Sequence, residues 1–270
     1  MRQSEWTETH GLDGWVFRPA IRPPGVLVGF SGSGLAPPGA ASPSEVLARR
    51  FAAALEAESL AIVRATQVHG KTAAVVREAP PDGRTRDAGE CDVLATALTG
   101  VALVVQSADC VPILLRTGGS VAAAHAGWRG SAVEAARAAV GALEELGARA
   151  DEVEVWIGPS IGVCCYEVGD DVAARFDGEF LRRGRRGRVH LNLAAVNRAQ
   201  LEAAGVPPES ISVHPACTSC GGERFASYRR DGAGAGRMIA LIARVGDRQS
   251  GNGKRETGNG KRMKESGNRN

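Results

Sequence analysis

His69, Cys110 and His125 each stand at the end of an apolar run of strand length, next to small residues. Strand ends in one sheet can converge, and two imidazoles with one thiolate form a zinc-binding set that leaves a fourth position open. An open zinc site lowers the pKa of a bound water to about 7, so a nucleophile is available at neutral pH. The three residues are far apart in sequence, so their spacing alone is a weak signal. A buried free cysteine also packs as a small hydrophobic residue.

The same residues allow a second chemistry that needs no metal. Cys110 would be the nucleophile, with His125 or His69 as its base. Asp109 or Asp92 would orient the imidazole. The two interpretations differ in whether the second histidine is required. Asp109 also has a structural alternative, as a turn residue that accepts hydrogen bonds from backbone amides.

The other cysteines are weaker candidates. Cys217 and Cys220 have the spacing of a zinc knuckle or a redox pair, but no second pair has that spacing, and we interpret them as structural or incidental. Cys164 and Cys165 are adjacent, and neighbouring side chains of a strand point to opposite faces. We therefore interpret this second pair as local packing.

The elements that must position these residues alternate between short apolar runs and amphipathic segments, which predicts an α/β fold. Predicted strands cover residues 15–17, 26–30, 62–68, 72–76, 101–105, 111–115, 121–124, 153–157, 211–214 and 238–242. A Gly-Gly pair at 118–119 indicates a hairpin. Predicted helices begin at Ser44, at Ser131 (a capping box with Glu134, ending at Gly147), at Asp170 (to about Phe180) and at Asn192 (ending at Gly205). Residues 80–90 are predicted to be a polar, turn-rich connection.

The composition is that of an ordinary globular chain. The 270 residues are 43% hydrophobic and 23% charged, with a net charge of +3, which gives no electrostatic footprint for nucleic acid. No apolar run is long enough to cross a membrane, and the N-terminus lacks a signal-peptide pattern, so we expect a cytoplasmic protein with reduced cysteines. Residues 1–246 are predicted to form one domain. Residues 247–270 are too polar to form a core, and we predict a disordered tail.

Three segments together resemble a known family. Residues 67–70 (Gln-Val-His-Gly), 108–112 (Ala-Asp-Cys-Val-Pro) and 125–130 (His-Ala-Gly-Trp-Arg-Gly) look like the signature segments of the laccase-domain (YfiH-like) family. Further similarity extends over roughly residues 15–243. The resemblance implies a single α/β (α+β) domain in which a mixed β-sheet sandwich is flanked by helices.

The resemblance also implies a function. Related enzymes are described as zinc-dependent; they cleave adenosine, inosine and methylthioadenosine with phosphate, and they deaminate adenosine. An older label is copper-dependent polyphenol oxidase, and a bacterial relative has been linked to editing of peptidoglycan precursors. The site implied by the resemblance and the residues comprises catalytic Cys110, His125 and Asp109, substrate-binding Gln67, Arg129, Tyr228 and Arg229, and the metal ligands His69, Cys110 and His125.

Two segments depart from the family pattern. Where relatives commonly carry a Thr-Arg-x-Gly-Gly-like segment, this chain has Ser31-Gly32-Ser33-Gly34, without the arginine. If that arginine holds phosphate, either Arg129, beside a predicted helix N-terminus, or Arg229 replaces it, or phosphorolysis is weak. An Ala-Asp-Ala-like segment is replaced by residues 90–93, and only Asp92 is retained.

The leading hypothesis is therefore a zinc-dependent purine nucleoside enzyme with phosphate as co-substrate. A metal-free cysteine hydrolase acting on cell-wall precursors is the second hypothesis, and a non-catalytic zinc-stabilised binding protein is the third. Five histidines cannot build the several histidine-rich sites of a multicopper oxidase. Copper can displace zinc from a site of two histidines and one cysteine, because copper binds such ligands more tightly, so oxidase activity would be a loading artefact.

Overall fold

Three β-sheets and six α-helices make up the part of the chain that the computed structural model describes, namely residues 6–11, 14–35, 44–81, 84–184 and 187–246. The predicted tail, residues 247–270, lies outside the described residues, and the domain boundary at 246 stays a prediction. No helix in the described ranges is long and apolar enough to cross a bilayer.

The first sheet has seven strands. In spatial order they are β1 (Trp6–Gly11), β2 (Gly14–Pro19), β3 (Val26–Ser31), β16 (Met238–Arg244), β8 (Val101–Ser107), β4 (Ala61–Thr66) and β6 (Thr85–Glu90). Strand β4 runs parallel to both of its neighbours, and the other pairs are antiparallel. The sheet is therefore mixed, as the resemblance implied.

The second sheet has six strands, and a third, small sheet has three. The second contains, in spatial order, β15 (Ile211–Val213), β11 (Glu154–Ile157), β9 (Val111–Arg116), β10 (Val121–Ala126), β7 (Val93–Thr96) and β5 (Ala73–Val76). The third contains β12 (Glu167–Val168), β14 (Val189–Leu191) and β13 (Leu181–Arg183). The helices are α1 (Ser44–Ala54), α2 (Trp128–Ala132), α3 (Ala135–Glu144), α4 (Asp170–Ala173), α5 (Leu193–Ala203) and α6 (Tyr228–Asp231).

The two large sheets pack face to face, and helices cover their outer faces. Phe30 and Leu103 of the first sheet share one core with Leu114 and Val121 of the second. Helix α1 covers the outside of the first sheet, and α3 and α5 cover the outside of the second. Every residue of β10 is buried, because alternate side chains enter the inter-sheet core and the helix-covered core. The predicted sandwich flanked by helices is confirmed.

Several local predictions are correct, and several are wrong. The Gly-Gly hairpin joins β9 to β10, and Asn192 caps α5 by accepting a hydrogen bond from the Ala195 amide at 3.2 Å. The capping box is wrong: Ser131 lies inside α2, and Glu134 has a left-handed backbone (φ 65°) that separates α2 from α3. The helix predicted from Asp170 ends already at Ala173.

The buried strand β7 and the three short strands of the third sheet were not predicted. The polar strands β1 and β6 were not predicted either. Both lie at the edges of the first sheet, and their side chains are largely exposed. Such strands lack the apolar alternation from which a strand is predicted. The segment predicted to be only a turn-rich connection thus contains an edge strand.

Candidate active site

Three strand ends bring His69, Cys110 and His125 together. His125 lies in β10, Cys110 in the turn that joins β8 to β9, and His69 in the loop that follows β4. One ligand atom from each residue lies within 4.8 Å of the others. The two imidazole rings have centroids 4.9 Å apart and planes inclined by 81°. The convergence predicted from the strand ends is therefore what the structure contains.

The backbone around these residues is unusual, which indicates a functional constraint. His69 and Asp109 have positive φ angles (61° and 88°), a conformation that costs non-glycine residues roughly 1–3 kcal/mol. A Cβ atom at Gly127 would lie 2.8 Å from Cys110 Sγ and 3.1 Å from His69 Cδ2. Only glycine at position 127 lets the chain pass so close to both side chains.

Asp92 organises both histidines, and its side chain is fully buried. Its Oδ1 accepts hydrogen bonds from His125 Nδ1 at 2.8 Å and from the His69 amide at 3.0 Å. Its Oδ2 accepts hydrogen bonds from the amides of Gly70 at 2.6 Å and Val68 at 3.2 Å. Burial by itself would raise the pKa of Asp92, but the hydrogen bond from His125 and those from the backbone lower it, so the carboxylate is charged.

Cys110 and His125 polarise each other. Burial disfavours both charged forms, but the hydrogen bonds and charges of His125 and His69 lower the pKa of Cys110 to about 6. In the same way, hydrogen bonds with Asp92 and Cys110 overcome burial and raise the pKa of His125 to about 9. The geometry therefore favours a thiolate at Cys110, which is the form that binds a metal or acts as a nucleophile.

The donor set fits a zinc ion. Asp92 engages Nδ1 of His125 and leaves Nε2 for a ligand, the arrangement of carboxylate and histidine that recurs around zinc. Two imidazoles and one thiolate occupy three of the four tetrahedral positions. All five histidines are described, and His10, His190 and His214 lie on other parts of the fold. A multicopper cluster rich in histidine is therefore not formed by the described residues.

A cavity of about 770 Å³ opens in front of the three ligands. Its volume lies within the range of small-molecule sites. Its wall includes the aromatic side chains of Trp128, Tyr166 and Tyr228. Three arginines also line it: Arg64, Arg229 and Arg237. The aromatic faces suit a planar ligand, and the arginines suit an anionic group beside it.

Three of the four predicted substrate-binding residues line the cavity, namely Gln67, Tyr228 and Arg229. Tyr228 and Arg229 line the cavity, and the Arg229 guanidinium is held by the carbonyls of Cys165 and Glu167 at 3.1 and 3.0 Å. Gln67 also lines it, but both ends of its amide bond the backbone of Gln106, at 2.9 and 2.8 Å. These hydrogen bonds tie the end of β4 to the end of β8.

Arg129 does not line the cavity. Its guanidinium is exposed and lies 4.5 Å from the ring centroid of Trp128, whereas Arg64 and Arg237, which sequence reasoning did not select, lie in the cavity wall. Ser31 is buried in β3 and its hydroxyl accepts a hydrogen bond from the Ile239 amide at 2.8 Å, and none of residues 31–34 lines the cavity.

Asp109 joins two walls of the cavity. Its Oδ1 accepts a hydrogen bond from the Thr218 hydroxyl at 2.5 Å, and its Oδ2 accepts one from the Arg229 amide at 2.6 Å. The carboxylate that orients His125 is therefore that of Asp92, the second of the two candidates. A catalytic role for Asp109 stays a prediction, and its contacts suit a residue that positions Cys110 and Arg229.

The structure also contains a cluster that the sequence interpretation missed. The sulfur atoms of Cys164, Cys165, Cys217 and Cys220 all lie within 4.8 Å of one another. The premise that Cys164 and Cys165 point to opposite faces of a strand is wrong, because both lie in a turn and their sulfurs are on the same side. The spacing of Cys217 and Cys220 was a signal for a metal site in the sequence. The second pair of cysteines, Cys164 and Cys165, is adjacent and lacks that spacing.

The family model described as multi-copper polyphenol oxidoreductase laccase matches residues 42–245. The chain belongs to this family. It is similar to a protein of Deinococcus radiodurans named purine nucleoside phosphorylase, with 42% identity over 200 residues, covering 72% of this chain and 74% of the relative. It is also similar to a prokaryotic protein named adenosine deaminase RL5, with 40% identity over 162 residues, covering 57% of this chain and 62% of the relative.

A solved structure agrees with the sequence comparisons. The crystal structure of YlmD from Geobacillus stearothermophilus has a TM-score of 0.76 with this chain at 31% sequence identity. The similarity covers 90% of this chain and 100% of YlmD. The chain is thus an enzyme of the laccase-domain family with a YlmD-like fold, and the predicted family membership is confirmed.

Proposed function

We propose that this protein is a zinc-dependent enzyme that acts on purine nucleosides, cleaving adenosine, inosine and methylthioadenosine with phosphate and deaminating adenosine. The observation that carries the proposal is the set of His69, Cys110 and His125 at the cavity, with Asp92 fixing the tautomer of His125. Relatives named purine nucleoside phosphorylase and adenosine deaminase support the choice of substrate. Zinc bound there would supply a Lewis acid and a water of lowered pKa.

The residues of the chain divide the remaining work. Asp92 keeps the proton of His125 on Nδ1, so that Nε2 faces the site. Tyr166, whose pKa burial raises to about 12, offers a protonated hydroxyl and an aromatic face at the wall. Arg229 and Arg237 can balance the charge of phosphate, and the exposed Tyr228 can close over the purine.

The metal-free cysteine hydrolase is the second candidate, and one observation favours it. Cys110, His125 and Asp92 form a thiol, imidazole and carboxylate series in hydrogen-bond contact, the arrangement of a cysteine nucleophile, its base and an orienting acid. This series does not need His69. The role of His69 therefore separates the two candidates.

The test replaces His69 by Ala in protein purified without nickel affinity. If the zinc proposal is correct, His69→Ala loses both the zinc at this site and the phosphate-dependent cleavage of adenosine. Cleavage is measured by chromatography of the released base. His10→Ala is the matched control, because His10 lies on edge strand β1, away from the ligand set. Turnover that survives in His69→Ala overturns the zinc proposal and favours Cys110 as nucleophile.

Two further measurements address the other assignments. Phenol oxidation that appears only after copper loading and is absent from the zinc form supports the view that copper displaces zinc. A cytoplasmic location, which we also propose, fits a site that depends on a thiolate, because thiols stay reduced in that compartment. Fractionation of cells that express the protein measures it directly.

A further inference from the structure

The cysteine cluster, defined as Cys164, Cys165, Cys217 and Cys220, has the spacing of metal ligands. The Sγ atoms of Cys164 and Cys220 are 3.7 Å apart, and all four sulfurs lie within 4.8 Å of one another. Sulfurs bound to one tetrahedral zinc at about 2.3 Å lie about 3.8 Å apart. A disulfide bond brings two sulfurs to about 2.05 Å. The Cys164–Cys220 distance thus matches that of a tetrathiolate site and is too long for a disulfide bond, and the 4.8 Å limit on the other pairs accommodates the same site.

The backbone is shaped to bring the two cysteine pairs together. The Gly162 carbonyl accepts hydrogen bonds from the amides of Cys165 and Tyr166, which forms a tight turn. The Gly162 amide in turn donates a hydrogen bond to Cys217 Sγ at 3.2 Å. A Cβ atom at position 162 would lie 3.1 Å from Cys217 Cβ and 3.2 Å from Cys164 Sγ. A side chain at Gly162 would therefore crowd both pairs and require a shift of a few tenths of an ångström. The Gly162 amide is aimed at a sulfur that carries charge when it ligates a metal.

Core packing does not explain the cluster. Cys164 and Cys220 are exposed, and Cys165 and Cys217 are half-buried, so the four thiols are not a hydrophobic interior. Because two of the four thiols are exposed to solvent, the burial of apolar surface does not account for their convergence. Four thiolates and no open position form the donor set of structural zinc sites.

We propose that the cysteine cluster binds one zinc ion in a closed, structural site, separate from the site of His69, Cys110 and His125. The zinc would cross-link two segments of irregular backbone, residues 162–165 and 217–220, and so stabilise the folded state. This proposal does not depend on the activity of the enzyme.

The cross-link lies next to the cavity at both ends. Tyr166 follows Cys165 and lines the cavity, and Thr218 follows Cys217 and donates its hydroxyl to Asp109. Arg229, also in the wall, is bonded to the Cys165 carbonyl. The structural zinc would therefore fix the position of two cavity walls without touching the substrate.

The test is the zinc content, by plasma mass spectrometry, of full-length protein purified under reducing conditions without nickel affinity. The wild type is expected to hold about two molar equivalents, and Cys164→Ser/Cys220→Ser about one. Ser219→Ala, which lies between two ligands and keeps every thiol, is the matched control and retains both equivalents. His69→Ala also retains about one equivalent, and this one belongs to the cysteine cluster.

Cobalt(II) gives a readout that does not depend on how the variants fold. The wild type reconstituted with cobalt(II) is expected to show the intense sulfur-to-metal charge transfer and red d–d bands of a tetrathiolate centre. Removal of metal by a strong chelator lowers the melting temperature of the wild type and of His69→Ala.

Three results would overturn the proposal. The first is wild-type protein with no tetrathiolate cobalt spectrum. The second is Cys164→Ser/Cys220→Ser protein, folded by circular dichroism, with the same zinc content as the wild type. The third is a disulfide within the cluster in the freshly purified wild type, shown by peptide mass spectrometry. None of these results affects the proposed nucleoside activity, which the His69→Ala turnover assay tests separately.

Discussion

Replacing Asp92 by Asn removes one charge and changes one acceptor into a donor, in a side chain that bonds four groups. If the remaining oxygen stays with His125 Nδ1 and the His69 amide, the new NH₂ faces the amides of Val68 and Gly70. Two partly buried N–H groups then lose their acceptor. Each unsatisfied group costs about 1 kcal/mol at the lower end of the usual range, so the free energy of unfolding is expected to fall by roughly 2 kcal/mol.

The other orientation of the amide damages the metal site. If the NH₂ faces His125, Nδ1 must give up its proton to accept the hydrogen bond, and the proton moves to Nε2. Nε2 is the nitrogen that the metal requires. Loss of such an orienting partner typically costs 10–100-fold in metal affinity. Either orientation therefore weakens the site, and zinc affinity is expected to fall by about that factor in D92N.

The assay is a competition titration of zinc against a chromophoric chelator, with urea unfolding measured in parallel. It is done in the Cys164→Ser/Cys220→Ser background, so that zinc at the cysteine cluster does not contribute. Asp151→Asn is the matched control, since Asp151 is an exposed carboxylate that is paired with Arg149 and does not line the cavity. D92N protein with wild-type zinc affinity and wild-type unfolding free energy would refute the argument that Asp92 orients the ligands.

Three other predictions follow from the geometry. Gly127→Ala places a Cβ 2.8 Å from Cys110 Sγ and is expected to lower zinc affinity, measured by the same competition titration. Arg237→Gln is expected to raise the KM for phosphate about tenfold, as loss of a charge-assisted contact does, and by more than Arg129→Gln, because Arg237 lines the cavity and Arg129 does not. Burial, with a contribution from a neighbouring arginine, lowers the pKa of His214 to about 4, so the unfolded chain binds a proton first as the pH falls. Stability is then fully present above about pH 6.5 and declines by up to roughly 3 kcal/mol towards pH 4, a slope that His214→Gln removes in urea titrations at several pH values.

Each of these predictions has an outcome that contradicts it. Gly141→Ala, in open space within α3, is the control for the glycine variant and should stabilise the protein by roughly 0.5–1 kcal/mol. Equal zinc affinities of the two alanine variants would show that the close approach at Gly127 is unimportant. A larger effect of Arg129→Gln than of Arg237→Gln would reverse the assignment of the phosphate contact. An unchanged pH slope in His214→Gln would assign the acid sensitivity to other groups.

The sequence was most informative for the longer apolar strands that are buried on both faces, whereas the equally buried four-residue strand β7 was not predicted. The apolar runs of β8, β9 and β10 are unambiguous, and the ligands at their ends were therefore located together with His69. The polar edge strand β6 was not predicted, because only backbone pairing with β4 makes Thr85–Glu90 extended. Local signals can also be overridden, since Glu134 adopts a left-handed backbone in place of the capping role that its spacing from Ser131 suggested.

Relations between distant segments were the other limit of sequence reasoning. Asp92 was only one of two candidates to orient a histidine until the structure placed its carboxylate against His125 and the His69 loop. The pairing of Cys164 with Cys220, 56 residues later, is likewise a property of the tertiary fold. The residue types indicated the chemistry. Which aspartate and which cysteines take part depends on how the loops pack against one another in the folded chain.

The position of β16 has a consequence for how the protein is made. This strand, Met238–Arg244, is the last in the chain order of the described residues, yet it lies in the middle of the first sheet between β3 and β8. Until it has left the ribosome, β3 and β8 each present an unpaired apolar edge, which is the kind of surface that recruits other chains. A chain that stops short of β16 is therefore expected to aggregate or be degraded, even though all three ligands of the predicted zinc site have already been synthesised by residue 125.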